Sequence, residues 1–336
     1  MIPAYSVSKP FLAQAVLELN LDLDATVGQY MSHLPEVYAQ RRIRDLLNHT
    51  SGLDDYSALA DYNEAVERRQ KAWSRQELLQ RAEALAHNNQ GFQYSNIGYL
   101  LLVMLVEQAT EQPYFAALDE LVFKPLEING FDEWHSPHPA VADYDPSWVY
   151  SGTFLAEPEV LVAGLARLVA HRQQTIGLQA GLVAVELPDT GFDNPGYNFG
   201  FMVDGGRNGR PITFAGHGGG GPGFQHMALV RVDNSDAAIE ASTDGLDQRV
   251  AIEILKARLM AEPRPIARRL PKRMTQLETA ARLFEAKKVY SESQVNALLQ
   301  LLFEDHVFAR RLLIEWGFLT RTPDGAEYSL LKTIRN

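Results

Sequence analysis

The sequence predicts an α+β fold, a helical block followed by antiparallel strands, with a smaller α+β module behind it. Three observations carry this. Up to about residue 171 apolar residues recur at helical spacing. After about residue 196 the pattern changes to short β-prone runs joined by Gly, Asn and Asp turns. Near Glu262–Pro271 prolines cluster and the charge changes sign. Helical runs followed by strand runs indicate α+β rather than alternating βαβ units.

Residues 6–19 read as a helix, because Phe11, Leu12, Ala15, Val16 and Leu19 fall at spacings of three and four. Residues 75–86, 96–110, 114–121 and 157–171 read the same way. Ser95 or Asn96 suits the N-cap of the third, and Pro158 the first turn of the last. Strands are expected at Tyr197–Val203, Pro211–Ala215, Gln225–Val232 and Ala237–Thr243, with a helix over 247–260.

Composition sets outer bounds. The chain has 336 residues, of which 22% are charged and 46% hydrophobic, as in an ordinary globular protein. There is no cysteine, which excludes disulfides, thiolate metal sites and cysteine nucleophiles. The longest apolar run, Tyr99–Val106, is far shorter than the roughly 20 residues a membrane-spanning helix needs. No signal peptide is visible before the candidate site, so the expectation is a cytoplasmic protein, or a periplasmic or secreted one if its start lies upstream. The net charge of −11 is uneven: residues 264–336 hold 13 Lys and Arg against 8 Asp and Glu, +5, leaving −16 for the rest. The acidic part would repel nucleic acid; the tail could approach it.

Three short motifs bear on chemistry. Ser6-Val7-Ser8-Lys9 opens an amphipathic helix, where i and i+3 share a face, so the Lys9 amine can reach the Ser6 hydroxyl. A serine is a weak nucleophile that needs an adjacent base, and lysine can serve if burial lowers its pKa. Tyr94-Ser95-Asn96 offers a phenol that can pass a proton and an amide that can orient lysine and substrate. His217-Gly218-Gly219 lies within Gly216–Gly223, where glycine admits close backbone approach. A backbone N–H near Gly220 could pair with that of Ser6 as an oxyanion hole.

In this order the motifs resemble those of the serine β-lactamase, DD-peptidase and esterase family, the penicillin-binding type: S-x-x-K, Y-x-N and K/H-x-G. Leu46-Leu47-Asn48-His49-Thr50-Ser51-Gly52-Leu53 is similar to the family's L-L-x-H-T-S-G-L, read as structural. Phe92–Leu102 and Phe123-Lys124-Pro125-Leu126 are similar too. The resemblance covers roughly residues 4–260. It implies a β-lactamase-like fold and an acyl-enzyme mechanism with Ser6, Lys9 and Tyr94 catalytic. Asn96, His217, Gly218, Gly219 and Gly220 would contact substrate, with no cofactor or metal. His217 in place of lysine is closer to D-aminopeptidases, some DD-peptidases and esterases than to strong penicillinases. The family places a helix and two strands before its nucleophile, whereas only five residues precede Ser6, so an incomplete sheet is expected, with an open edge near Ala237–Thr243. The alternative is an inactive sensor or binding protein that keeps the pocket and signals through its tail.

Other signals fail. Gly216-x-Gly218-x-x-Gly221 is followed by Pro222 and a strand, not a helix, so it is no dinucleotide site. His135-Ser136-Pro137-His138 has no third ligand in view and reads as a surface loop. His226 is expected on a strand beside the glycine loop that carries His217, with no role.

Residues 1–262 are read as the hydrolase domain, 263–273 as a linker with three prolines and four arginines, and 274–336 as a second domain. In the tail, Thr275–Lys287 reads as a helix. Ser291 with Gln294 forms a capping box, Asp305 caps a third helix closed by Gly317, and Phe318–Arg321 with Tyr328–Leu331 flank a Pro323-Asp324-Gly325 turn. The expected core is Leu283, Phe284, Val295, Leu298, Leu299, Leu302, Phe308, Leu312, Trp316, Leu319 and Tyr328. Helix, helix, helix, hairpin is a winged-helix order. The residues Tyr290-Ser291-Glu292, Arg310-Arg311-Leu312, Gly317-Phe318-Leu319 and Gly325-Ala326-Glu327-Tyr328 resemble a small domain of unknown function, the family numbered 2087, often joined to bacterial transcriptional regulators. A protein or DNA partner is possible through this tail. DNA would require Arg310 and Arg311 on the exposed face of the third helix, with Arg321 nearby to contact phosphates.

Overall fold

A computed structural model describes the whole chain except residues 87–90, 136, 137, 188, 189, 244, 261–265, 282, 285–287 and 332–336. Parts of the linker and of the His135–His138 loop therefore lie outside the described residues, as does Lys287. The chain divides into two compact units, residues 1–248 and 249–336.

In the first unit the helices are α1 (Lys9–Glu18), α2 (Glu36–Ala39), α3 (Ile43–Leu47), α4 (Ala60–Glu67), α5 (Arg75–Ala82), α6 (Asn96–Thr110), α7 (Tyr114–Leu118) and α8 (Pro158–Gln174). A three-stranded sheet pairs β1 (Ile2–Pro3) and β2 (Phe131–Asp132) on either side of β3 (Leu155–Ala156). A six-stranded antiparallel sheet runs in chain order through β4 (Val183–Ala184), β5 (Pro195–Tyr197), β6 (Met202–Gly205), β7 (Ile212–Gly221), β8 (Phe224–Arg231) and β9 (Ala237–Ser242). Among the described residues β9 is the outermost strand beside β8, at the expected edge.

Helix α1 is buried on every side from Lys9 to Val16. It is a central helix rather than the amphipathic surface helix its spacing suggests. Arg172 of α8 reaches it from below: its Nε donates to Gln14 Oε1 at 2.8 Å and its Nη1 to the Phe199 carbonyl at 3.1 Å. That ties α8, the second half of α1 and the β5–β6 turn together. Ser95 is the N-cap of α6, its Oγ accepting from Gly98 N. The expected 114–121 helix is shorter and passes into a wider turn at Asp119–Phe123.

Two strand readings are corrected. Tyr197–Val203 is not one strand: the chain turns at Asn198–Phe201, where Phe201 N donates to Asn198 Oδ1. Gly200 takes φ +91 there, and a Cβ on it would lie 2.8 Å from Pro10 Cα, so the turn fits against α1 only as glycine. The glycine run after Ala215 is also not a loop. Strand β7 continues through Gly221, paired residue by residue with β8, and the reversal falls at Pro222–Gly223. A backbone with few side chains remains extended when its neighbour supplies the ladder.

In the second unit, α9 (Gln248–Met260) begins at the boundary and is followed by α10 (Leu270–Ala281), β10 (Val289–Ser291), α11 (Glu292–Gln300), α12 (His306–Glu315), β11 (Leu319–Arg321) and β12 (Glu327–Leu330), the three strands ordered β10-β12-β11. Helix α10 starts at Leu270, within the expected linker; Pro271 is tolerated in a first turn, where its missing N–H has no intrahelical role. The capping box at Ser291 and Gln294 is present, and Asp305 caps α12. Val295, Leu299, Leu312, Leu319 and Tyr328 form the core with Phe303 and Leu313. Phe308 and Trp316, expected inside, are 43% and 39% exposed. Arg310 is also corrected: its side chain is only 12% exposed, with Nη1 against Asn296 Oδ1 and Glu292 Oε1. It braces α11 to α12 and is not on the outer face; Arg311 and Arg321 are exposed. Among the described residues no helix is long and apolar enough to cross a membrane.

Candidate active site

Ser6 lies in a tight 3-10 turn, Tyr5–Ser8, that leads directly into α1. Lys9, the first residue of α1, is wholly buried. Its Nζ is 2.9 Å from Ser6 Oγ, 2.6 Å from Asn96 Oδ1 and 3.4 Å from Ser151 Oγ. The Tyr94 hydroxyl donates to Ser6 Oγ at 2.9 Å. The S-x-x-K and Y-x-N motifs, some 90 residues apart, thus meet on one hydroxyl oxygen. Tyr94 immediately precedes the α6 cap, and Asn96 is the first residue of that helix.

Electrostatics separate the two candidate bases. Burial pulls Lys9 from 10.5 to about 7, opposed by the charge of Asp55. Burial, first, pushes the Tyr94 phenol far above its ordinary range, so it stays protonated at neutral pH. Lys9 is therefore the group that can be a neutral amine, and the Tyr94 phenol remains a donor.

His217 lies on β7 and packs against Tyr94, ring centroids 6.1 Å apart. Its Nδ1–H donates to the Gly218 carbonyl at 2.6 Å, which leaves Nε2 to accept from the Tyr197 hydroxyl at 3.1 Å. Burial and the nearby Lys9 hold it neutral, down to about 3. Both ring nitrogens are engaged within the protein. Gly218, Gly219 and Gly220 follow on β7. A Cβ on Gly218 would strike the Gln248 side chain, whereas Gly220 faces open space apart from Gln225 Cγ at 3.8 Å.

Several residues here escape a sequence reading. His49 brackets Tyr94: its carbonyl accepts from Gln93 N at 2.7 Å, its Nδ1 from Ser95 N at 3.1 Å, and its ring lies 4.4 Å from that of Tyr94. Its φ of +61 is a left-handed conformation uncommon outside glycine. The L-L-x-H-T-S-G-L likeness flagged the segment but not this contact. Asp55 accepts from Asn96 N at 2.7 Å, and Ser151 approaches Lys9. Neither carries a motif. Tyr5, beside the nucleophile, also has positive φ, +44. Its N–H donates to Thr153 Oγ1 and its hydroxyl to the Pro222 carbonyl, contacts that hold the strained turn.

Residues 265–330 match the family described as "Uncharacterized protein conserved in bacteria (DUF2087)". Penicillin-binding protein 4* of Bacillus subtilis is 27% identical over 293 residues, 75% of this chain; the match spans only 62% of that relative's length. Among solved structures, a D-stereospecific amidohydrolase from Streptomyces sp. has a TM-score of 0.59 at 23% identity, covering 71% of this chain and 81% of its own. The octameric penicillin-binding protein homologue from Pyrococcus abyssi has a TM-score of 0.58 at 17%, covering 86% and 71%. D-amino acid amidase from Ochrobactrum anthropi SV3 has 0.53 at 21%, covering 70% and 76%. At these identities the structures establish a shared fold. Residues 1–257 match the Beta-lactamase family, and the chain belongs to it.

Proposed function

We propose that the protein is a serine hydrolase that cleaves an amide or ester through an acyl-enzyme on Ser6. The observation that carries this is the buried Lys9 amine, 2.9 Å from Ser6 Oγ and pulled to about 7, beside a phenol that remains protonated.

Ser6 Oγ attacks the substrate carbonyl carbon as its proton passes to neutral Lys9. The negative charge that develops on the carbonyl oxygen faces the backbone N–H groups of Ser6 and Gly220. As the carbonyl re-forms, the proton taken by Lys9 moves through Tyr94 to the departing nitrogen or oxygen, leaving an ester on Ser6. Water then attacks that ester, its proton passing through Tyr94 to neutral Lys9; as the acid leaves, Ser6 Oγ recovers that proton from Lys9. Asn96 holds Lys9 Nζ in place, and His217 keeps β7 against Tyr94.

The names of the structural neighbours point to amides of D-amino acids as first substrates. The test is turnover of D-amino acid p-nitroanilides, p-nitrophenyl esters and a chromogenic cephalosporin, with Ser6→Ala as control. Hydrolysis of at least one class, abolished in Ser6→Ala, is expected. Acylation of Ser6 with no turnover of any class would favour the sensor reading, and activity surviving in Ser6→Ala would refute the assignment of the nucleophile.

A further inference from the structure

His226, on β8, is buried and takes no part in the mechanism above. In the register it stands opposite Gly219 of β7. Its ring does not stay on its own strand. A Cβ on Gly219 would lie 2.3 Å from His226 Nε2 and 2.8 Å from the Ala4 carbonyl oxygen, so the ring crosses β7 through the space where a side chain would be. On the far side Nε2 is 3.0 Å from that same carbonyl. A carbonyl only accepts, so the ring carries its proton on Nε2 and donates it. The Ala4 carbonyl also accepts from Val7 N at 3.0 Å and so begins the turn that presents Ser6. The ring of Tyr5 stacks on His226 at 6.4 Å, and a Cβ on Gly221 would strike Tyr5 at 2.5 Å.

Gly219 and Gly221, two apart on a strand, thus face Ala4 and Tyr5 and leave room for the rings of His226 and Tyr5. We propose that His226 is a positioning residue that latches the nucleophile turn to β7 and so sets the distance from Ser6 to the backbone of Gly220. This rests on Ser6 being the nucleophile. The latch spans 222 residues of sequence. It joins the two backbone segments whose N–H groups would have to converge on one oxygen, and misplacement of such donors by about 1 Å costs on the order of a hundredfold in rate.

The test uses the full chain and three variants. Glutamine places an amide nitrogen about as far from the backbone as His226 Nε2; asparagine is too short; leucine has no donor. Two readouts are taken: the rate at which a fluorophosphonate labels Ser6, and hydrogen exchange of the peptide covering residues 4–9, with α6 as the internal reference. His226→Leu and His226→Asn are expected to label about tenfold or more slowly and to exchange faster over residues 4–9 alone. His226→Gln should restore both. Gly219→Ala should resemble His226→Leu, and the double variant should be little worse than either. Wild-type labelling and exchange in His226→Leu, or loss in His226→Gln equal to that in His226→Leu, would overturn the latch. Uniformly faster exchange, α6 included, would also overturn it, as a merely structural role. A wild-type protein that takes no probe at Ser6 would overturn the hydrolase reading instead, and local exchange alone would then decide the latch.

Discussion

Lys9 should make the reaction of Ser6 depend on pH with a midpoint near 7. The side chain is fully buried, and its fall from 10.5 to about 7 is a preference for the neutral amine of roughly 5 kcal/mol. At neutral pH about half of the Lys9 side chains are then competent bases, against roughly one in three thousand for an exposed lysine. Labelling of Ser6 by a fluorophosphonate, followed from about pH 5 to about pH 9, should rise about tenfold per pH unit below the midpoint and level off above it. Asp55 is the charge that holds Lys9 up, so Asp55→Asn should move the midpoint down. The same shift affects stability. Because the folded pKa lies below the unfolded one, the unfolded chain binds more protons between about 7 and about 10.5, and stability rises with pH across that window by up to about 1.4 kcal/mol per unit. Below about 7 the full cost of a buried ammonium is present. Lys9→Met should therefore lose labelling yet unfold at higher temperature at neutral pH. A flat profile, a midpoint near 10, or wild-type labelling in Lys9→Met would refute the reasoning.

Removing the ring of His49 frees Ser95 N and takes away the packing on Tyr94, so His49→Ala should slow Ser6 labelling by about tenfold or more and lower the melting temperature. In the second unit, Arg310→Ala should destabilise the fold by about 1 kcal/mol, read by denaturant unfolding, because Arg310 holds Glu292 and Asn296 of α11. We further propose that residues 249–336 fold alone. Circular dichroism should show a cooperative transition, and a fragment from 264 should melt lower, since it lacks Ile254, which packs on that core.

The candidate site residues were legible because each lies in a short motif whose chemistry is local: Ser6 and Lys9 are three residues apart at a helix start, and Asn96 stands beside a helix cap. Their partners were not. Ser151 reaches Lys9 from 142 residues away, and His226 reaches Ala4 from 222. Only the fold brings such pairs together. The glycine run suggested a loop by composition alone, yet its role depends on which neighbours fill the space of the missing side chains, and at Gly219 and Gly221 these are His226 and Tyr5. In the tail the cap residues Ser291 and Asp305 were legible for the same local reason. The direction of Arg310 was not, because a helix with charges on several faces does not reveal which one meets a neighbour. Phe308 on α12 and Trp316 at its C-cap are both exposed, and apolar spacing alone could not distinguish core from surface there.

The central claim is that Ser6 is an activated nucleophile. Its most direct test is the mass of the full chain after incubation with a fluorophosphonate and with a labelled penicillin, followed by mapping of the modified peptide. A single adduct on Ser6, absent in Ser6→Ala and strongly slowed in Lys9→Met, is the predicted result. A folded protein that takes neither probe, or that takes them at another residue, would contradict the account.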